Sequence, residues 1–95
     1  MTRFTVVWAA DVQDSFANAW IASDSRTRRS LTDIAEWIDT NLADDADVKG
    51  QSIPDRAART VDVPLRNSGA RVSAVYQVLP NDRLVRVIQI IFQSD

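Results

Sequence analysis

The chain opens on alternation. In "RFTVVW", Phe4, Val6 and Trp8 interleave with Thr5 and Val7, and the β-branched and aromatic content predicts a first strand. The period then changes. Val12, Phe16, Ala19 and Trp20 fall at helical spacing, which predicts a short amphipathic helix from Asp11 to Ile21 with Asp11 as its N-cap. "SDS" interrupts the pattern, and Asp24 or Ser25 can cap a second helix. Its apolar stripe is Leu31, Ile34, Ala35, Ile38 and Leu42, while Trp37 lies off the stripe, placed to cover the first helix or a partner. So short a joint predicts an antiparallel helix hairpin.

"ADDADVKGQSIPDRA" has no periodicity and contains Gly50 and Pro54, so it reads as a loop. Alternation returns with Val61, Val63 and Leu65, although Pro64 lacks a ladder donor and places this strand at an edge or ends it early. "RNSG" is turn chemistry. The next strand, "RVSAVYQVL", sets Val72, Ala74, Tyr76 and Val78 on one side and Val75 and Leu79 on the other. "PND" turns the chain into a last strand, "RLVRVIQIIF", which like its predecessor is apolar on both faces. The order β-α-α-β-β-β predicts a two-layer α+β domain spanning residues 1–95. The last three strands form an antiparallel meander, the first strand joins an edge, and the helix hairpin crosses one face. Val12, Phe16, Trp20, Leu31, Ile34, Ile38 and Leu42 are expected to pack on Val6, Trp8, Val72, Tyr76, Val78, Val87 and Ile91.

Composition narrows the chemistry. With 45% hydrophobic and 25% charged residues the chain is ordinary globular material. It contains no Cys and no His, which excludes thiolate nucleophiles, serine triads and His-ligated metals. No cofactor or metal is expected. The aspartates 44, 45 and 47 lack the spacing and glycine of a calcium loop. The N-terminal apolar run is too short for a signal peptide or a membrane span, which predicts a cytoplasmic protein with no membrane partner. Charge is uneven. Residues 1–48 carry four arginines against nine acids, a net −5, whereas residues 49–86 carry seven basic residues against three acids, a net +4. Such a half fits an anionic or acidic partner, or else a solvated sheet whose arginines pair with the acidic helices.

The stretch "LRNSGARVSAVYQVLPNDRLVRVIQI" and, before it, "AEWIDTNLADDADVKG" resemble the RelE/ParE family of small toxins from bacterial toxin–antitoxin pairs. The resemblance covers nearly the whole chain. In the RelE branch it implies a ribosome-dependent messenger RNA endonuclease, in which cations neutralise the phosphoryl oxygens while a 2′-hydroxyl attacks. Arg71, after the Ser-Gly turn, falls at a family arginine position, and Arg59 and Arg66 are further catalytic candidates. The sequence departs from the pattern at Val63, Pro64 and Leu65, where the family often has lysine. It departs again at Phe92, Gln93 and Ser94, where the family has a basic residue ahead of a tyrosine-bearing tail. Tyr76, the sole tyrosine, sits in mid-strand and reads as core. The ParE branch acts through gyrase and requires no nuclease residues.

Two functions therefore stay open, and with them whether the chain is an enzyme. One is a toxin component with weak or absent nuclease chemistry; the other is a non-catalytic protein-interaction module that keeps the fold. The resemblance implies a cognate antitoxin peptide as partner, and the exposed apolar strand of a chain without one implies a homodimer. Arg56, Arg59, Arg66, Arg71, Arg83 and Arg86 are expected to surround that apolar surface and to receive an acidic, partly disordered segment.

Overall fold

A computed structural model describes residues 3–54, 57–64 and 71–93. The chain runs β1 (Thr5–Trp8), α1 (Ala10–Ile21), α2 (Ser25–Asn41), β2 (Gln51–Ser52), β3 (Arg59–Val63), β4 (Arg71–Leu79) and β5 (Leu84–Gln93). Two helices pack on a mixed five-stranded sheet of order β1-β5-β4-β3-β2, the two-layer α+β arrangement that the pattern predicted. β3, β4 and β5 form the antiparallel meander, and β1 joins the edge beside β5 in parallel.

The helix signals divide. Asp24 is the N-cap of α2, and its carboxylate accepts the Thr27 amide at 2.8 Å. That bond to the charged form lowers the Asp24 pKa below its ordinary 3.8. Asp11 is not a cap. It lies in the first turn of α1, whose N-cap is Ala9 with no side-chain bond. The C-terminus of α1 has no basic residue of its own in its last turn; Arg28 reaches back from α2 and donates to the carbonyls of Trp20 (2.8 Å) and Ile21 (2.9 Å). Its guanidinium carbon lies 4.5 Å from the centroid of the Trp20 ring. Trp20 is thereby held near the surface, 39% exposed, and does not enter the core as its helical spacing predicted.

The core forms where the α2 stripe meets the sheet: Leu31, Ile34, Ile38 and Leu42 pack with Phe4, Val63, Val72, Ala74, Tyr76, Val85 and Val87. Val12, Phe16, Val6, Trp8 and Val78 join as expected. Trp37 packs against the core too, and with Pro64 it lines a groove beside the end of β3. On β4 the inward parity is the predicted one. β5 carries a correction. Val75 opposes Gln89 but Tyr76 opposes Val87, so Ile88 is an extra residue that reverses the alternation of its strand. Val85 and Val87 face the helices at one end and Ile90 at the other, whereas Ile91, expected inside, turns to the outer face with its partner Ser73.

The stretch expected to be loop contains a missed element. β2 pairs with Thr60 and Arg59, so β3 is covered on its far side at that end. Gly50 starts the pairing at φ +64, and a Cβ there would collide with the Thr60 carbonyl oxygen. Pro64 follows the last residue of β3, as its missing donor predicted. Leu65 and the "RNSG" turn lie outside the described residues. Before β1, Phe4 donates its amide to the Ala43 carbonyl at 2.8 Å, and Arg3 bridges to Asp44, its Nε 3.6 Å from Oδ1.

Candidate functional site

The register of β3, β4 and β5 divides the arginines between the two sheet faces. Arg71 opposes Gln93 and alternates with inward Val72, which puts it on the outer face, exposed, at the start of β4. Arg86 opposes Val7 on β1 and Gln77 on β4, also outward and exposed. Between them the outer face presents Thr60, Ser73, Gln77, Gln89 and Ile91, with Val75 buried to 2% at the centre. Asp62 accepts a hydrogen bond from the Ser73 hydroxyl at 3.0 Å. This face offers guanidinium, amide and hydroxyl donors, chemistry suited to holding an anion or a polar chain.

Arg59 is elsewhere. It opposes Tyr76, and both side chains share the inner face. Its Nε donates to the Lys49 carbonyl at 2.8 Å and its second nitrogen to the Gly50 carbonyl at 3.3 Å. The Tyr76 hydroxyl lies 2.8 Å from that Lys49 carbonyl and 3.0 Å from the Ala46 carbonyl, so ring and guanidinium together tie down the segment after α2. Burial pushes the Tyr76 hydroxyl above its ordinary pKa of 10.0; the neighbouring Arg59 pulls it down and Asp47 adds to the rise. Tyr76 is core, as its position in mid-strand predicted.

The two described candidates, Arg59 and Arg71, therefore do not converge. Arg59 and Arg71 stand on opposite faces and are five residues apart in register, about 17 Å along the strands. Arg66 lies outside the described residues, as does Arg56. Among the described residues the ion pair is Arg3 with Asp44, on the N-terminal side of the chain, and Arg83 and Arg86 are exposed. The inward turn of Arg59 was legible, because it shares parity with Val61 and Val63. Its carbonyl partners, ten and nine residues away in a non-periodic loop, were not.

A third region was not foreseen. Beside β1, between the sheet edge and both helices, lies an apolar groove of about 820 Å³ lined by Val6, Val7, Trp8, Phe16, Trp20 and Ile21. Trp8 meets Phe16 edge to face at 5.2 Å and donates its indole N–H to Asp39 at 2.9 Å. Val7, Trp20 and Ile21 are exposed large apolar residues gathered on this side.

This architecture, two helices on a mixed sheet with the first strand parallel to the last, is the RelE/ParE-like toxin fold. A chain of the chromosomal ParDE toxin–antitoxin system from P. aeruginosa superposes with a TM-score of 0.70 at 13% identity, over 98% of this chain and 98% of that one. A mutant of the E. coli toxin RelE in the free state gives 0.62 at 14% identity, over 95% of this chain and 82% of that one. The intact E. coli RelBE toxin–antitoxin complex gives 0.56 at 16% identity, over 99% and 98%. No protein-family model matches the sequence, and no curated protein does either. None of the helices among the described residues is long and apolar enough to cross a membrane.

Proposed function

We propose that the chain is the toxin component of a toxin–antitoxin pair, held inactive by a cognate antitoxin segment. The observation that carries this is the superposition on a chain of the ParDE system over 98% of this chain and 98% of that one. The outer sheet face is the surface on which a target would sit. Arg71 is the candidate for electrostatic work there, with Arg86 alongside; Arg59, bonded to two carbonyls, serves the fold. The chain has no His and its one tyrosine is buried, which removes both side chains that the resemblance would use to move the proton and favours weak or absent nuclease chemistry. A target such as gyrase asks for binding and not for cleavage, and fits this surface better than a messenger RNA.

The runner-up is a non-catalytic interaction module on the same fold, favoured by a sequence pI of about 4.9, low for a protein that binds RNA through its phosphates. Co-expression with the small open reading frame adjoining the gene separates the two. A tagged chain that retains that product in fixed ratio through purification is the expected result. Recovery of the chain alone, folded, would overturn the toxin assignment.

A further inference from the structure

The two edges of the sheet are treated differently. On the far side β2 is only Gln51–Ser52, Pro54 follows closely, and Pro64 ends β3; short strands and prolines are the usual guards against edge pairing. β1 is longer, at four residues, and contains no proline. Thr5, Val6, Val7 and Trp8 carry neither charge nor proline. The amides of Thr5 and Ala9 are bonded to Arg83 and Val87, so strand alternation points the N–H and C=O groups of Val6 and Trp8 away from β5. No strand of the described residues pairs with that side. The loop residue Ala43 takes the Phe4 amide and closes the edge just before Thr5.

We propose that this edge is closed by a second copy of the chain, β1 pairing antiparallel with β1 about a two-fold axis at Val7. The register follows from the donors. Centred on Val7, Val6 of each copy faces Trp8 of the other, and each such pair exchanges both of its backbone bonds. Centred on Val6, Trp8 would face Phe4, whose amide is already taken. Charge selects a second copy over an unrelated strand. The N-terminal end of β1 carries the exposed cation Arg83, while Arg3 is already bridged to Asp44. Its C-terminal end carries the exposed carboxylate of Asp39, bonded to Trp8. Antiparallel pairing lays each Arg83 end against an Asp39 end, twice. The two Arg86 side chains, each one strand behind its Val7, stay about 14 Å apart, beyond a Debye length at ordinary salt. The apolar groove of each copy is then roofed by the Val6 and Trp8 face of the other, and on the outer face each Val7 is covered by its counterpart.

The pairing does not depend on what the protein acts on, so it is tested on the purified chain without its target. The chain has no cysteine, so a single one reports a contact unambiguously. Val7 faces Val7 as a non-bonded pair with Cα atoms about 4.5 Å apart, within disulfide reach. Val7→Cys is expected to cross-link on mild oxidation while Gln51→Cys on the other edge does not, and sedimentation of the unaltered chain to give twice its 10.6 kDa. Val7→Lys, which changes an outward residue and leaves the core alone, should give a monomer with unchanged circular dichroism. A monomeric unaltered chain, a cross-link through Gln51→Cys instead, a Val7→Lys dimer, or a β1 edge that pairs only with a co-expressed foreign segment would each overturn the proposal.

Discussion

Tyr76 stands in the middle of β4 with its ring fully buried and its hydroxyl on the carbonyls of Ala46 and Lys49. Phe in its place keeps the volume and strands the Ala46 carbonyl, while the Lys49 carbonyl keeps its Arg59 donor. Tyr76→Phe is therefore expected to cost about 1–3 kcal/mol in urea unfolding. The raised pKa gives a second handle. A group whose ionisation is disfavoured in the folded state holds its proton there after the unfolded chain has lost it. The folded chain thus binds more protons above pH 10, and stability falls as pH rises from about 10 through the raised value. As the only tyrosine, Tyr76 can be followed by its own absorbance, and Tyr76→Phe should remove this alkaline slope. Tyr76 as core was legible from its place in the alternation. Its loop partners, 30 and 27 residues away, were not, because nothing periodic links a strand to a loop.

At the scale of elements, the α2 stripe carries most of the layer contact. Ile38 is fully buried and Ile34 2% exposed. Either replaced by Ala is expected to lose about 2–5 kcal/mol, with Trp20→Ala losing clearly less than Ile38→Ala in the same denaturant series. Helical spacing put both residues on one apolar face, but spacing does not report that Arg28 draws Trp20 outward by bonding the end of α1. The bulge is the other feature beyond pattern. "LVRVIQIIF" offers apolar residues on both parities, so an extra residue leaves no mark in the hydrophobic sequence. Deleting Ile88 would remove the extra residue and leave Val85, Val87 and Ile90 in simple alternation on the helix face. Cooperative thermal unfolding is expected to survive this deletion with a smaller loss of stability than Ile38→Ala causes, and a collapsed transition would contradict the assignment of Ile88 as the extra residue. β2 went unseen for a related reason: two polar residues carry no period.

At the scale of the molecule, the order of elements was enough to specify two layers and the meander, because neighbouring strands pair and amphipathic faces must be covered. The candidate site was less legible. Arginine positions can be counted in a sequence, but the face each one takes depends on register, which is how Arg59 and Arg71 came apart. The charge asymmetry marks a basic C-terminal half, and on the outer face it becomes two exposed arginines at the described positions, with amides between them. A toxin reading makes a demand on the living cell. The most direct measurement is the count of viable bacteria after tightly controlled induction of the chain alone, then together with its neighbouring small gene. Growth should stop in the first case and resume in the second. Uninterrupted growth with the chain present, folded and without a partner would contradict the account.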